Sequence, residues 1–364
     1  MLPFLRTNLP SPDEFLPFLE ASYKSGRFSN FGPCASRLEL ELTERFGDGK
    51  RQVVLVASCT IGLSLTLLAM GIRRRVVVPS FTFPATAHAV LAAGCEPVFV
   101  DVHPQTWELD PEALQHCLAS VPEVGAIIHV RAFGLCRDLS EVEGICRLAG
   151  LPLIVDAAAA FGGRLDTGHP VGMQGDAEVF SFHATKVFGI GEGGAVLVPR
   201  SLAESIRRAS NFGLYEGSVI QAGSNGKLSE FSAAVGLAVL SRFDAAIGSR
   251  RAIADRYAAA LLAHNNSGLP IRVGSPTWQT FPVCLTHGQD GDATALAMRD
   301  HGIEVRRYYS PPLHLMPFFS SNARGPLKVS ERLSSKMICL PIYSDMTIVE
   351  QESVISAAVS TFSP

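Results

Sequence analysis

Within Leu151–Val198 an acid, a hydroxyl and a lysine follow successive apolar runs. The run Leu151–Val155 ends at Asp156. A second run, Val179–Phe182, carries Ser181 and leads to Lys186, the sole lysine of the stretch. Glycines at 189, 191, 193 and 194 then precede a third run. A lysine amine can join an aldehyde as a Schiff base, and a carboxylate can keep a ring nitrogen protonated so that the ring withdraws electrons. A hydroxyl can hold a phosphate oxygen. A phosphorylated pyridine aldehyde needs all three. Each residue also has a plain reading. Asp156 precedes alanines and suits a helix N-cap. An isolated lysine more often snorkels at a surface. A glycine run often marks only a tight turn.

The elements that position these groups follow from the apolar pattern. Candidate strands are 53–57, 76–79, 97–101, 125–130, 151–156, 178–182 and 194–198. Their runs are continuous, as in a mostly parallel sheet covered on both faces. Helical patterns fit near 61–71, 84–93, 111–119 and 138–149. Strand–helix alternation of this kind implies right-handed crossovers, and ligands on such sheets sit at the carboxyl ends of strands. Four chemical stretches fall there: Ser58–Thr60, Ser80–Phe83, Asp156 and Ser181–Lys186. Ser58-Cys59-Thr60-Ile61-Gly62 opens a helix, so it offers backbone N–H groups and the Thr60 hydroxyl to a phosphate, or a simple N-cap. Phe83 can stack on a flat ring or pack in the core.

Before the first strand, Ser11-Pro12-Asp13-Glu14 reads as a helix start, and Ser36–Phe46 as an amphipathic helix. Residues 227–262 form one long helical pattern rich in small residues, and 264–273 turn polar. Strands are expected at 279–285 and 303–307, with helices at 292–301 and 348–359. The chain of 364 residues is long for one core. We expect a large α/β domain over 1–245 and a smaller α+β domain over 246–364.

Composition narrows the function. Hydrophobic residues make up 47% and charged residues 18%, with a net charge of −3. There is no basic field for nucleic acid. The N-terminus has prolines and acids where a signal peptide needs an apolar core, and no apolar run is long enough to suggest a membrane span. Eight scattered cysteines lack a CxxC pair, which argues against a metal site and fits a reducing cytoplasm.

In order along the chain stand NFGP at Asn30, SCT at Ser58, PSFTFPAT at Pro79, PVFVDV at Pro97 and IVDAAAAFG at Ile154. SFHATKVFGIGEGGAV at Ser181, GSNGKLSEFSAAVG at Gly223, RRYYSPPLH at Arg306 and LPIYSDMT at Leu340 follow. With these motifs the chain resembles the DegT/DnrJ/EryC1/StrS sugar aminotransferases. They are fold-type I enzymes of pyridoxal 5'-phosphate, similar in fold to aspartate aminotransferase. The resemblance implies an α/β fold, a mostly parallel sheet sandwiched by helices, with a smaller C-terminal α+β domain. It implies a homodimer with shared active sites that moves an amino group, with L-glutamate as donor, onto a nucleotide-linked keto-sugar.

It also implies residue roles. Lys186 would bind the cofactor covalently and shuttle protons, and Asp156 would pair with the pyridine nitrogen. Thr60, Ile61 and Ser181 would take the phosphate, Phe83 would stack on the ring, and Asn225 would reach the neighbouring subunit's cofactor. Phe31, Glu192, Tyr309 and His314 would border the sugar-nucleotide pocket. Three positions depart from the family pattern. Ala159 stands where Gln or His faces the ring hydroxyl, Arg131 where the family has His, and Lys227 where it has Arg. A dehydratase branch replaces the lysine with histidine, so Lys186 favours transamination over lyase chemistry. A non-catalytic sugar-sensing relative would need neither Lys186 nor Asp156.

Overall fold

Seven strands form the central sheet, in the order β1-β7-β6-β5-β4-β2-β3. They are β1 (Arg51–Val56), β2 (Arg75–Pro79), β3 (Glu96–Val100), β4 (Val124–Val130), β5 (Leu153–Asp156), β6 (Ala177–Ser181) and β7 (Gly194–Pro199). The computed structural model describes residues 1–263, 267–271, 274–286, 288–322 and 327–362.

The continuous apolar runs have a simple cause. Successive side chains of a strand point to opposite faces, and both faces are covered. Val53 and Leu55 enter one core with Val77, Val98 and Ile127. Val54 and Val56 enter the other with Val76, Val78 and Phe99. On that second face lie α3 (Cys59–Ala69), α4 (Pro84–Ala92) and α7 (Arg200–Ser210). The first face is covered by α2 (Pro33–Phe46), α5 (Pro111–Ser120), α6 (Ser140–Ala149) and the front half of α8 (Glu230–Ala263). Ahead of α2, α1 (Pro12–Ser25) starts as expected, with Pro12 in its first turn and the Glu14 carboxylate accepting from the Ser11 N–H at 2.8 Å.

The strand pattern held, but the sheet is not wholly parallel. β7 runs antiparallel to both β1 and β6, and Ser181 is registered with Gly194. No helix separates β6 from β7. The chain turns back through the 182–193 loop, so Lys186 lies on a return loop at the sheet edge.

The remaining strands are short. A two-residue hairpin, β8 (Leu214–Tyr215) with β9 (Ser218–Val219), is exposed. A three-stranded sheet joins β10 (Ser267–Gly268), β11 (Phe281–Leu285) and β12 (Met337–Leu340). Around it stand α9 (Gly291–Asp300), α10 (Lys328–Lys336) and α11 (Ile348–Phe362). The strand expected at 303–307 does not form a ladder. Ile303 bridges Leu2 and Arg306 bridges Cys339, so the segment touches two different neighbours once each. Half of the polar 264–273 segment, residues 264–266 and 272–273, lies outside the described residues.

Helix α8 spans 34 residues without a break, through position 245. Leu237, Phe243 and Ile247 pack in the core of the large sheet. Ile253, Tyr257 and Leu261 pack with the three-stranded sheet. By length and mean hydropathy this helix meets the requirement for a membrane span. Yet 44% of the apolar window is buried inside the protein, against α1, α2 and α11 among others.

Candidate active site

The sheet polarity brings the expected chemistry to one edge. β1 to β6 share one direction and β7 opposes them. The carboxyl ends of β1, β2, β4, β5 and β6 therefore meet the amino end of β7. A cavity of about 430 Å³ opens there. Of the residues singled out from sequence, Thr60, Phe83, Arg131, Asp156, Ala159, Ser181, Lys186, Glu192 and Tyr309 line it together.

Asp156 closes β5 and is 6% exposed. Its Oδ2 accepts from the Thr86 hydroxyl at 2.7 Å, and its Oδ1 from the Ala158 N–H at 3.1 Å. The plain N-cap reading fails, because no helix follows β5 here; residues 158–162 are turns. Burial raises the carboxyl above its usual range, and the hydrogen bonds from Thr86 and Ala158 and the charge of Lys186 offset this only in part. A buried carboxylate with so few donors is stabilised by a cation delivered from the cavity side.

Lys186 lies on the return loop, with its N–H donating to the His183 carbonyl at 2.8 Å. Its Nζ donates to Gln279 Oε1 at 2.8 Å. Burial pulls the amine below its ordinary value, against the opposing influence of Cys59 and Asp156. More of the amine is then neutral and nucleophilic at a given pH. Gln279 lies 93 residues further along the chain, with no periodic or motif signal to mark it.

The phosphate end is built on the N-terminus of α3. Ser58 is its N-cap, and its Oγ accepts from the Ile61 N–H at 3.3 Å. The capping reading of this stretch is thus realised, and it occupies the Ile61 amide; Ile61 does not line the cavity. Thr60 and Cys59 do, in the first helical turn whose N–H groups lack intrahelical acceptors. Gly194 permits this approach: a Cβ there would sit 2.7 Å from the Cys59 nitrogen. Ser181 Oγ accepts from the His183 N–H at 3.3 Å. Phe83 is the N-cap position of α4 and is 56% exposed, with a ring face open to the cavity it lines. A buried carboxylate, a lysine whose charged form burial disfavours, an open aromatic face and a helix N-terminus only partly capped, around one cavity, fit pyridoxal phosphate.

Other expected residues lie elsewhere. Asn225 is exposed, and its Oδ1 accepts from Lys227 Nζ at 2.8 Å. Phe31 lines a separate surface pocket with Glu39 and Arg207. His314 is 5% exposed and does not face the cavity. Its Nδ1 is 2.6 Å from Ser80 Oγ and its Nε2 3.1 Å from Glu331 Oε1. This tie holds the 308–316 segment against the end of β2. Tyr309 on that segment stacks on Phe133, with ring centroids 5.3 Å apart, and forms a wall of the cavity. Sequence reading did not single out Thr86, Tyr308 or Gln279, and held Thr82 and His183 only inside longer stretches; all five belong to the site. Thr86 was within reach, since it lies in the same motif as Phe83.

The departures acquire structural content. Ala159 offers the cavity only a methyl group, and its carbonyl is pinned by the Thr277 hydroxyl at 3.2 Å. Arg131 lines the cavity, but its guanidinium is engaged by buried partners. It pairs with the fully buried Glu178 at 3.1 Å and donates to the Arg137 carbonyl and to Gln174. Lys227 lies 4.8 Å from the centre of the Phe212 ring.

Residues 12–359 match the DegT/DnrJ/EryC1/StrS aminotransferase family. The dTDP-4-amino-4,6-dideoxy-D-glucose transaminase of Shigella dysenteriae is 32% identical, over 96% of this chain and 96% of its own. The crystal structure of DesI with its TDP-sugar product superposes with a TM-score of 0.90 at 31% identity, covering 99% of this chain and 92% of that one. NtdA of Bacillus subtilis, solved with bound cofactor PMP, gives a TM-score of 0.88 at 28% identity, covering 99% of this chain and 85% of that one. The chain belongs to the DegT/DnrJ/EryC1/StrS family and is a pyridoxal-phosphate-dependent aminotransferase.

Proposed function

We propose that this enzyme transfers an amino group from L-glutamate to a nucleotide-linked keto-sugar, as a cytoplasmic homodimer with shared active sites. The observation that carries the chemistry is the joint presence of Asp156 and Lys186 on one cavity, each with its charged form disfavoured by burial. The sugar reading is supported by relatives named as transaminases of dTDP-linked amino sugars. Bound pyridoxal phosphate withdraws electrons from the substrate carbon that loses its proton.

The chain's own residues do the rest. Asp156 supplies the negative charge that a cationic ring nitrogen needs. Lys186 Nζ, once free, accepts a proton from the donor's carbon and returns one to the acceptor's. Gln279 Oε1 holds that amine in line. Thr60 and Ser181 receive the phosphate, while Phe83 covers one ring face. Glu192 and Tyr309 border the substrate space. Asn225, exposed on the surface, is available to a neighbouring subunit's cofactor. The division near residue 245 would separate the cofactor-binding part of α8 from the part that carries the smaller domain.

The test is optical. The purified holoenzyme is titrated with L-glutamate, and its visible band is followed as the bound cofactor takes up the amine. A dTDP-linked 4-keto-sugar added next restores the band and yields an amino sugar. Consumption of the sugar without any amino donor would instead establish a lyase. A protein that binds no cofactor would overturn the enzyme reading.

A further inference from the structure

On the far side of the Lys186 loop lies a second cavity, of about 230 Å³. Thr185 and Lys186 line both cavities, so the 184–189 loop is the partition between them. The second cavity is bordered by Arg6, Arg242, Arg250 and Ser344. Its centrepiece is Arg250, on α8 and only 5% exposed.

The hydrogen bonds of Arg250 are unevenly distributed. Its Nε donates to Ser344 Oγ at 2.9 Å. Its Nη1 donates to the carbonyls of Trp278 and Ile342, both at 3.0 Å, with that of Gln279 at 3.4 Å. Its Nη2, with two N–H groups, has no partner among the described residues. No carboxylate pairs with it either. The other arginines are neutralised: Arg6 by Asp345 and Glu350, and Arg242 by Glu14 at 3.5 Å. Burial accordingly lowers the Arg250 guanidinium to about 10. The charge of Asp345, which contacts Arg6 instead, offsets this only in part. A buried cation with a free donor edge on a cavity and no carboxylate in contact is short of a counter-ion.

We propose that this cavity is an anion site, in which the free edge of Arg250 receives a small oxyanion, a carboxylate or phosphate, beside Arg242 and Arg6. A planar guanidinium edge is matched to two oxygens of such a group. An occupant presses on the loop that carries Lys186. It also bears on Arg250, which holds the backbone of Gln279, whose side chain receives the Lys186 amine. The site therefore braces the catalytic lysine from behind and is distinct from the phosphate cradle at α3.

The test uses the holoenzyme, whose phosphate cradle is already filled by cofactor. Thermal midpoints are measured against potassium phosphate and sodium acetate, with chloride holding ionic strength constant. A saturable rise with phosphate, with acetate, or with both supports the site and identifies the oxyanion. The decisive variant is Ala246→Glu. Ala246 lines the cavity one helical turn before Arg250, so the new carboxylate sits at i,i+4 and supplies the missing counter-ion. The variant should fold, raise the midpoint without added anion and lose the oxyanion response. Equal midpoints in chloride and in both oxyanions overturn the proposal. So does an undiminished response in a folded Ala246→Glu protein.

Discussion

Asp156 and Glu230 are both buried acids, 6% and 0% exposed, yet the protein treats them oppositely. Glu230, in the first turn of α8, reaches the N-terminus of α2. Its Oε2 accepts from the Cys34 N–H and the Ser22 hydroxyl, both at 2.7 Å, and its Oε1 from the Ala35 N–H at 2.9 Å. The N-cap of α2 is Gly32, and a Cβ there would lie 2.6 Å from Glu230 Cδ. A long-range carboxylate thus replaces the usual capping side chain, and the group is complete. Asp156 receives one hydroxyl, one N–H and only a long thiol contact from Cys59 at 3.9 Å, and it borders an open cavity. One acid is finished by the fold and holds three helices together. The other is left unfinished, and completing it is the cofactor's part.

The largest expected break of this contrast is at Lys186. Lys186→Ala should lower transamination by at least ~10³-fold and change the visible spectrum of bound cofactor. The cofactor-free variant should be no less stable than the parent, because the lost amine was disfavoured by burial. An unchanged spectrum would refute the assignment of this lysine.

Next comes a paired substitution. Glu230→Ala leaves two buried N–H groups and a hydroxyl unsatisfied and should cost on the order of 3 kcal/mol, seen in urea unfolding, with activity per folded molecule close to that of the parent. Asp156→Asn should do the reverse, with turnover down by about two orders of magnitude and no loss of stability in the cofactor-free protein. Similar losses of stability in both variants would erase the distinction.

A smaller effect is expected at Gln279. Gln279→Leu removes the acceptor of the Lys186 amine, worth about 1.5 kcal/mol, so kcat should fall roughly tenfold with KM for the sugar little changed. A change confined to KM would place Gln279 with the substrate instead.

The smallest effect is a pH slope. Burial raises Asp156 in the fold above its unfolded value of 3.8. Below that value both states are protonated. As pH climbs toward the folded value, the unfolded chain ionises first, so the cofactor-free protein loses stability over that window. Asp156→Asn should flatten this component of the urea midpoint against pH. A profile parallel to that of the parent would show that Asp156 titrates normally.

The Asp156 half of this contrast was legible in the sequence, whereas nothing there marked Glu230, and the legible part has a common cause. The strands showed as continuous apolar runs because both faces of each are buried, and Asp156, Ser181 and Lys186 stood out because they interrupt or follow those runs. Helices α7 and α10 escaped notice because they are polar, with narrow buried faces. The antiparallel β7 was unreadable for a different reason. A buried strand carries the same residues whichever way it runs, and only the absence of a helix between Ser181 and Gly194 hints at the return.

What the sequence by itself determined is local: which segments are strands and helices, and which reactive side chains stand at their ends. Periodicity and chain order carry that information over a few residues. Which distant groups meet was decided by the tertiary structure. Glu230 caps a helix 196 residues away, and Ser80 holds His314 across 234. Gln279 takes the Lys186 amine, and Arg131 spends its charge on Glu178 rather than on the cavity. Such pairings depend on how layers stack and on which donors remain unsatisfied once they have. No local pattern encodes that, and it is what makes one buried acid structural and the other chemical.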